Sequence, residues 1–559
     1  MNRVFAAHLE RLKTSLNNVF SLSQLADWIT KNTYLDSRKF SFKNHEFQRD
    51  VISDAALTSI VVKCAQVGLS EIMARWTLAA VTTQDNFTAI YTFPTTSDAE
   101  KFCRTRIDPC ISASPLLAQA INNSLNNSEL KQFNGNSFIY FRGTMSETAA
   151  LSVPADVIIH DEVDKSNLTQ MSVYVSRLQH KPTKMRKLFS TPTVSRYGIS
   201  KEAETARRYR QVMTCSCCGH KFLPDYFANV HIPGFDGDKR EITKSTLKNV
   251  AWEQARLLCP KCGRVPEPGP EYMEWVCENP GEAYPANAWF ITPFSAPSVI
   301  TAPYLVKTST EYDKYSEFVN QSLGLTAEDE ENSITVQDLD KAIVHADLRS
   351  SDLHYLGADM GLTCHITIGR MTSNDELVVV HRESVTYTRF EERRRELCAQ
   401  YRVVLSVHDA QPYTDMITRI TEADSNAYGS YFVTGSNVMF NVKKQDEERE
   451  EAKLTLRKVN ISRTPAFDHL MYLLKQGLIK VQASDIDEEW KKQIQSLKRI
   501  SKMDRLGEHQ YVWEKTDGND HYHFSLLYLV IASKMRGLAG GFHPAAAVPL
   551  LSRFKLKQA

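Results

Sequence analysis

Short apolar runs alternate with amphipathic stretches in the part of the chain that follows residue 40. The strongest runs are Ser59–Val62, Thr88–Phe93, Ala155–His160 and Lys187–Ser190, and an amphipathic stretch, 71–80, follows the first of them. Buried runs that alternate with helical stretches predict a parallel sheet with crossover helices. We therefore expect an α/β domain at residues 41–210.

A second region with this pattern begins near residue 350. Its candidate strands are 353–358, 364–370, 377–385 and 403–408. Its candidate helices are 447–475, 485–502 and the strongly apolar 523–535. The change from strand to helix periodicity favours a second α/β domain at residues 346–536.

The remaining segments differ in texture from these two regions. Residues 1–40 have a mainly helical pattern, and residues 211–285 are rich in Cys, Gly and Pro, which predicts a small insertion held by a metal ion. Residues 286–345 are polar, so we expect an irregular connector whose acidic run, 328–331, is a solvated loop. Residues 537–559 end in basic side chains and predict a flexible tail.

Composition limits the class of protein only loosely. A chain of 559 residues exceeds what one hydrophobic core supports, and 42% hydrophobic with 24% charged residues is typical of globular proteins. The net charge of +1 neither supports nor excludes a nucleic-acid partner. No apolar run predicts a membrane span, the N-terminus does not resemble a signal peptide, and the clustering of cysteines indicates metal binding in a reducing compartment.

A candidate phosphate-binding loop, Lys63–Ser70 (KCAQVGLS), lies between a predicted strand and a predicted helix. In that position, backbone N–H groups and the helix N-terminus face an anion. Gly68 and Ser70 fit the usual G-x-x-x-x-G-K-[ST] pattern, but Leu69 stands where the lysine is expected and Lys63 opens the loop instead. The segment on its own also fits a plain turn between a strand and a helix.

An apolar run further along the chain ends in two carboxylates, Asp161 and Glu162. Paired acids at a strand end suit Mg²⁺ held through Asp161, with Glu162 positioning or deprotonating the attacking water. A strand that ends in a polar turn is the alternative. Because the loop and the acidic pair follow one another in the order of an ATP site, together they predict binding of ATP and Mg²⁺.

Four cysteines form two C-x-x-C pairs, each followed by a glycine: Cys215 with Cys218, and Cys259 with Cys262. Two such knuckles complete a tetrahedral Zn²⁺ site, and four thiolates leave no open position, so the metal is expected to be structural. Cys217 could replace a neighbour as ligand, and His220 and Cys277 are weaker candidates.

Three carboxylates of the second α/β region lie at the ends of separate elements: Asp359, Asp409 and Asp520. Such acids can converge in an RNase H-like fold and hold two divalent metals, Mg²⁺ or Mn²⁺, for phosphodiester cleavage. Asp520 could also be a helix N-cap.

Five further residues near these acids are candidates for the same site. Asp415, Asp517 and Glu383 are alternative acids, and His521 and His523 could support the metals or the scissile phosphate.

With these motifs in this order, the chain resembles the large terminase subunits of tailed bacteriophages, in particular their lambda-like branch. Lys63 matches a lysine that this family places at the start of its loop, and Phe47-Gln48 resembles the adenine-contacting element. Ser190-Thr191-Pro192-Thr193 resembles the coupling motif, which links ATP hydrolysis to DNA movement. Many relatives carry an arginine inside the loop where this chain has Gln66, so a transition-state arginine has to come from elsewhere, for example a neighbouring subunit.

The resemblance implies a P-loop ATPase domain with a zinc-ribbon insertion and a C-terminal RNase H-like nuclease domain. Asp359, Asp409 and Asp520 match the family's nuclease acids. The implied partners are double-stranded DNA, a small terminase subunit contacting residues 1–40, and a capsid portal contacting residues 537–559, on which the chain would form a homo-oligomer. The implied location is the host cytoplasm.

Two other functions stay open from the sequence. A cellular helicase–nuclease or repair ATPase should carry further helicase motifs between the two sites, where the Cys-rich segment stands instead. A non-enzymatic assembly scaffold with a decayed ATP site would account for Leu69 and Gln66. We interpret the run Arg393–Arg395 as a solvated face rather than a DNA clamp, and the pair Lys443–Lys444 could touch a phosphate backbone.

Overall fold

The structure, a computed structural model, describes residues 22–145, 153–281, 284–327, 332–345, 352–433, 438–442, 457–503, 509–516 and 518–535. The chain divides into two compact units. The N-terminal unit comprises residues 1–328 with 503–508, and the C-terminal unit comprises residues 329–502 with 509–559. Among the described helices, none is both long and apolar enough to cross a membrane.

The N-terminal unit is built on a large mixed sheet. The strands of the unit, including two separate two-stranded sheets (β1 with β2 and β12 with β13), are β1 Tyr34–Leu35, β2 Arg38–Lys39, β3 Thr58–Lys63, β4 Thr88–Phe93, β5 Ile121–Asn126, β6 Leu130–Phe133, β7 Ser137–Gly143, β8 Val157–Asp161, β9 Met185–Ser190, β10 Arg207–Thr214, β11 Lys221–Phe222, β12 Val230–His231, β13 Arg256–Leu257, β14 Met273–Cys277 and β15 Ala286–Ile291. The main sheet has the order β11-β10-β15-β3-β9-β8-β4-β7-β6-β5, with β14 also on β10. The strands from β10 to β7 in this order run parallel, and the outer strands are antiparallel.

Helices cover this sheet. They are Leu22–Asn32, Phe47–Ile52, Leu69–Thr83, Thr96–Phe102, Asp108–Ala113, Pro115–Ala120, Leu168–Val175, Gly198–Glu204, Tyr226–Asn229, Lys244–Leu247, Ala302–Thr308 and Tyr315–Phe318, and a π-helical turn follows at Val319–Leu323. The central strands β4 and β8 are buried along their whole length, as parallel strands covered on both faces must be. The helix Leu69–Thr83, called the loop helix below, buries Trp76 and Leu78 against them.

The C-terminal unit contains a second mixed sheet. Its strands, with one further hairpin, are β16 Ile343–Val344, β17 His354–Asp359, β18 Thr363–Met371, β19 Leu377–Thr386, β20 Val403–Asp409, β21 Ala427–Val433, β22 Phe440–Val442, β23 Lys458–Ser462, β24 Ile479–Gln482, β25 Leu497–Met503 and β26 His509–Lys515. The sheet order is β16-β24-β19-β18-β17-β20-β21-β23-β22. Strands β17 to β19 form an antiparallel meander, and β20, β21 and β23 continue from β17 in parallel.

Six helices of the described residues accompany this sheet: Val336–Ala342, Tyr387–Gln400, Thr414–Ala423, Arg463–Lys475, Glu488–Ile494 and His521–Lys534. The last, called the C-terminal helix below, packs directly on β17. A Cβ atom added to Gly357 would lie 2.1 Å from the Leu529 nitrogen and 2.2 Å from the Ser525 oxygen. Only a glycine lets the helix backbone approach the strand this closely, and the approach fixes where the first turn of the helix lies relative to Asp359.

The predicted α/β class is confirmed for both units, and the predicted strands of both regions are present within a residue or two of their expected ends. The prediction of an irregular connector at 286–345 was wrong for Ala286–Ile291, which forms β15 between β10 and β3 in the main sheet. The helical prediction for 1–40 was wrong for the hairpin at residues 34–39. Residues 1–21 of that segment, the acidic run and the tail lie outside the described residues.

In the C-terminal unit, the helical prediction for 447–475 was wrong at Lys458–Ser462, and that for 485–502 was wrong at Leu497–Met503, since both segments are strands. The described helices of these stretches are Arg463–Lys475 and Glu488–Ile494. Helical spacing of apolar residues therefore extended into neighbouring strands, of which β23 pairs with β21 and β22, and β25 pairs with β26.

Candidate ATP, zinc and nuclease sites

The loop Lys63–Ser70 connects β3 to the loop helix, as predicted. Its lysine lies at the carboxyl end of β3 and is 6% exposed. Gly68 has φ +69° and forms the N-cap of the loop helix, and a Cβ atom there would lie 2.8 Å from Nε2 of Gln48. That Nε2 donates a 2.8 Å hydrogen bond to the Val67 carbonyl, so Gln48 contacts the loop. The left-handed backbone and the close side chain together require glycine at this position.

The acidic pair lies beside this loop. The Ser70 hydroxyl donates a 2.9 Å hydrogen bond to Oδ2 of Asp161, and Glu162 pairs with Lys165 at 2.9 Å. Burial raises the pKa of Asp161 to about 7, with the charge of Glu162 adding to the effect and that of Lys63 opposing it. Burial also raises the pKa of Glu162, but the charges of Lys165 and Lys63 outweigh it and hold that pKa below its usual value.

The donor set of this site fits Mg²⁺. Asp161 is 1% exposed, and its Oδ1 accepts no hydrogen bond of normal geometry from the described residues, with the Tyr91 hydroxyl as a polar neighbour. A carboxylate beside a serine hydroxyl is the oxygen set that Mg²⁺ takes next to nucleotide phosphates. The structure thus brings Lys63, Ser70, Asp161 and Glu162 together.

Asp164, which the sequence interpretation did not single out, ties this site to the candidate coupling segment Ser190–Thr193. Its Oδ2 accepts hydrogen bonds from the backbone N–H and the hydroxyl of Thr193, at 2.8 and 2.7 Å. Its Oδ1 accepts from the Ile199 N–H at 2.7 Å, and the Asp164 N–H donates to the Ser190 hydroxyl at 3.2 Å. Burial raises the pKa of Asp164 to about 7 against these hydrogen bonds.

A second link joins the loop to the same segment. The Ala65 N–H donates to the Gln321 carbonyl at 2.6 Å, and the Gln321 side chain donates to the Thr191 hydroxyl at 3.4 Å. Gln321 belongs to the π-helical turn Val319–Leu323, within the stretch predicted to be a connector. Asn320 of the same turn donates to the Thr193 carbonyl at 2.7 Å. The turn therefore contacts both the loop and the coupling segment.

The four predicted zinc ligands converge. The sulfur atoms of Cys215, Cys218, Cys259 and Cys262 all lie within 4.8 Å of one another, with Cys215–Cys262 and Cys218–Cys259 each at 3.8 Å. Tetrahedral Zn–S bonds of about 2.3 Å place sulfur atoms about 3.8 Å apart, so the geometry fits zinc. Cys217 lies outside this group, since its sulfur contacts the Val265 carbonyl at 3.8 Å. Among the described residues, this geometry favours the C-x-x-C pairs over Cys217 as ligands.

The three predicted nuclease acids lie around one end of β17. Asp359 ends β17 and Asp409 ends the adjacent parallel strand β20, where the register pairs Ala358 with His408. Asp520 is the residue before the C-terminal helix, and its side chain pairs with Lys515 at 3.0 Å and makes no capping hydrogen bond. The alternative role of Asp520 as a side-chain N-cap is therefore absent from the structure.

Burial dominates the electrostatics of these acids. It raises the pKa of Asp359, against a 2.8 Å hydrogen bond to Nδ1 of His521, and the charge of Asp520 raises it further. Burial raises the pKa of Asp409 to about 7, against a hydrogen bond from the Gln411 N–H, and the charge of Asp359 adds to it. Carboxylates that raise one another's pKa form a site that a cation can occupy in place of protons. The donor set fits a divalent metal.

The remaining candidate residues for the nuclease site differ in their surroundings. Glu383 is held by Arg393 and His381, and Asp415 is exposed in the first turn of Thr414–Ala423. His523 is buried, and its Nδ1 contacts the Ile494 carbonyl at 2.7 Å. Asp517 and the pair Lys443–Lys444 lie outside the described residues. His365, which the sequence interpretation did not single out, lies with Asp359 and His521 in a group whose candidate ligand atoms are all within 4.8 Å of one another.

The interpretation of Arg393–Arg395 as a solvated face was wrong for Arg394, which is 3% exposed. Its guanidinium donates to Nε2 of His408 at 2.9 Å and to Asp424 at 2.6 Å. His408, which this guanidinium contacts, directly precedes Asp409 on β20. A run of charges in a sequence does not reveal which of its members turns inward.

The two units define a class of protein by their geometry: a loop and an acidic pair at the carboxyl edge of a parallel sheet, followed by a second α/β unit with three carboxylates around one end of β17. Residues 45–273 match the family model of the phage terminase large subunit gpA, ATPase domain. Over these residues the chain is similar to the ATPase domain of the phage terminase large subunit.

The likeness to solved structures extends over both units. The crystal structure of the HK97 bacteriophage large terminase has 11% sequence identity and a TM-score of 0.50, covering 92% of this chain and 100% of that chain. The large terminase of a thermophilic bacteriophage, in complex with ADP, has 11% identity and a TM-score of 0.30, covering 85% and 93%. The Thermus phage P74-26 large terminase ATPase domain has 12% identity and a TM-score of 0.31, covering 50% and 95%. No curated protein matches the chain. The HK97 likeness supports the terminase fold for both units.

Proposed function

We propose that the chain is the motor and nuclease subunit of a viral DNA-packaging machine. ATP hydrolysis in the N-terminal unit drives duplex DNA into the procapsid, and a metal-dependent endonuclease in the C-terminal unit cuts concatemeric DNA. The observation that carries the proposal is the contact between Ser70 and Asp161, at 2.9 Å, inside a segment that matches the terminase ATPase domain.

The ATP site uses residues of four elements. Lys63 and the N–H groups at the start of the loop helix bind the phosphates. Gln48, whose side chain contacts the loop, binds the adenine base. Mg²⁺, when bound with the nucleotide, would be held by Ser70 and Asp161 and would neutralise developing charge on the phosphates. Glu162 stays ionised through Lys165 and Lys63, so it can orient the attacking water and accept its proton.

Coupling of hydrolysis to movement runs through Ser190, Thr191 and Thr193. Thr193 is fixed to Asp164, two residues after Glu162, and Thr191 is fixed to the turn that holds the Ala65 N–H. A change in the loop or the acidic pair on hydrolysis therefore moves this segment through direct hydrogen bonds.

The nuclease site uses Asp359, Asp409 and Asp520. A bound Mg²⁺ or Mn²⁺ would be held by these carboxylates and would supply Lewis-acid stabilisation at the scissile phosphate. The acids are held before metal arrives, Asp359 by His521 and Asp520 by Lys515. His521 lies at hydrogen-bond distance from Asp359 and can also receive or donate a proton at Nδ1.

The partners are proposed from the family. A small terminase subunit and a capsid portal, with residues 1–40 and 537–559 as contact segments, fit a subunit that works as a homo-oligomer on the portal in the host cytoplasm. The cysteine cluster holds a structural Zn²⁺, whose role is to fix residues 211–285.

The ATPase test compares the wild type with Glu162→Ala, with Glu129→Ala as an exposed control in the same unit. We expect DNA- and portal-stimulated hydrolysis in the wild type and the control, and its loss in Glu162→Ala. Wild-type turnover no faster than that of Glu162→Ala under those conditions would instead favour an assembly scaffold.

The nuclease test uses Asp359→Ala. We expect this variant to lose DNA cleavage with Mg²⁺ or Mn²⁺ while ATP hydrolysis continues at the wild-type rate, because Asp359 lies in the C-terminal unit. Undiminished cleavage would remove Asp359 from the site.

A further inference from the structure

The hairpin formed by β17 and β18 brings an imidazole to the nuclease acids. Asp359 and His365 are directly paired across this antiparallel hairpin, so their side chains lie on the same face of the sheet. That face is the one on which the C-terminal helix packs, and His521 is the first residue of this helix. Three different elements therefore place one carboxylate and two imidazoles together.

The three side chains are close enough to share one ion. The Oδ2 atom of Asp359 lies 2.8 Å from Nδ1 of His521, and a ring nitrogen of His365 lies within 4.8 Å of the other two ligand atoms. Ligands bound at about 2.1 Å and at right angles lie about 3.0 Å apart, so the first separation already matches a metal-bound pair. The ring centroids of His365 and His521 are 4.7 Å apart.

His365 is also a member of this group with an unused polar atom. It is 8% exposed, and its Nδ1 is buried without a hydrogen bond of normal geometry among the described residues, with the Thr363 backbone as a polar neighbour. Buried polar atoms in folded proteins nearly always have a partner, so one left over beside a carboxylate site calls for a ligand. His365 also packs against the ring of Tyr522, with the ring centroids 4.8 Å apart, but this contact provides no hydrogen-bond partner for Nδ1.

We propose that His365 is a direct metal ligand, and that Asp359, His365 and His521 form a two-imidazole, one-carboxylate site that takes a divalent first-row transition-metal ion in preference to Mg²⁺. The inference rests on the proposed nuclease function and gives it a metal preference. Mg²⁺ favours oxygen ligands and keeps its waters, whereas imidazole nitrogen favours transition metals, and this donor set leaves positions open for water and phosphate. Asp409 and Asp520 are then available for the open coordination positions of this ion or for a second metal ion.

The test uses the full zinc-loaded chain without nucleotide or DNA and takes Mn²⁺ as the probe. Titration followed by electron paramagnetic resonance gives the affinity, and pulsed measurements of nitrogen coupling count the imidazoles bound to Mn²⁺. We expect two coordinated imidazole nitrogens in the wild type and one in His365→Ala, with affinity lowered at least about tenfold. The control His381→Ala, which removes a histidine from β19 of the same sheet, should leave both readouts unchanged.

A wild-type spectrum with one coordinated imidazole or none would overturn the proposal, as would equal affinities for Mn²⁺ and Mg²⁺. If His365→Ala fails to fold, the wild-type count decides together with His521→Ala, which should also lose one nitrogen. DNA cleavage measured on the same samples separates the two claims. Two bound imidazoles without cleavage would leave the metal site standing and end the nuclease proposal, and cleavage with no bound imidazole would do the reverse.

Discussion

Asp164 offers the most direct test of how the ATP site is joined to the coupling segment. In Asp164→Ala, the part-buried N–H group of Thr193 and the buried N–H group of Ile199 lose acceptors at 2.8 and 2.7 Å. A buried donor without an acceptor costs about 1–3 kcal/mol, so two such groups lower the free energy of unfolding by about 2–6 kcal/mol. Because burial raises the pKa of Asp164 to about 7, the carboxylate itself is unfavourable at neutral pH, and we expect the lower half of that range.

Asp156 provides a matched control at the opposite end of the same strand. It is also buried, and it accepts hydrogen bonds from the Thr88 N–H at 2.9 Å and the Thr183 hydroxyl at 2.8 Å just before β8. Asp156→Ala leaves one buried backbone N–H unpaired, which costs about 1–3 kcal/mol. The two variants therefore overlap in stability and differ in which edge of the sheet they disturb.

The assay is steady-state ATP hydrolysis at a temperature where urea unfolding shows both variants to be folded. We expect Asp164→Ala to lower kcat by about tenfold or more with little change in KM, because displacements of the order of 1 Å near a reacting group have effects of that size. Asp156→Ala should stay close to the wild type. Equal losses of kcat in the two variants, or a wild-type kcat in Asp164→Ala, would refute the idea that Asp164 positions the catalytic pair and the coupling segment.

Three further predictions concern the other elements of the fold. Gly357→Ala places a Cβ atom 2.1 Å from the Leu529 nitrogen, so calorimetry should show Tm lowered by about 5 °C or more. In the control Gly281→Ala, the added Cβ atom has no atom within 4 Å, so Tm should not fall. Burial lowers the pKa of His408 to about 3 in the folded chain, so between pH 6.5 and pH 5 this histidine gains a proton only in the unfolded chain. Over this pH range, urea titrations should show the free energy of unfolding of the wild type falling by about 2 kcal/mol relative to that of His408→Gln. A difference between the two proteins that does not change with pH would contradict this. Metal analysis should find one zinc per chain, and Cys218→Ser should release it and open residues 211–285 to proteolysis; a zinc-free wild type would exclude the site.

The parts of the structure that the sequence predicted share one physical cause. Lys63, Asp161 and Ser190 each end a largely buried strand, and parallel strands carry their carboxyl ends to the same edge of a sheet. Strand periodicity and residue type were therefore enough to bring them together. The same reasoning brought Asp359 and Asp409 to one edge, since β17 and β20 run parallel.

The parts that were missed depend on pairing between distant segments. Ala286–Ile291 carries a strand pattern between two prolines, Pro285 and Pro293, but its place between β10 and β3 follows only from the tertiary fold. His365 was missed because a histidine inside an apolar strand looks like a core residue until its cross-strand partner is known. Asp164 was not singled out, because its three acceptor contacts come from residues about 30 positions further along the chain.

Both candidate sites share a consequence of burial. Asp161 and Asp409 each end a central strand, each has a pKa raised to about 7 by desolvation, and each has a neighbouring carboxylate that adds to the effect. A carboxyl group of that kind holds a proton for much of the time near neutral pH, so metal binding has to displace the proton. The Ser70 hydroxyl donates to Asp161, and Nδ1 of His521 lies at hydrogen-bond distance from Asp359, so an oxygen of one acid in each site is held in place by the protein itself. Both units therefore stabilise their buried acids in the same way, by partial protonation and one short hydrogen bond. A divalent cation can replace both.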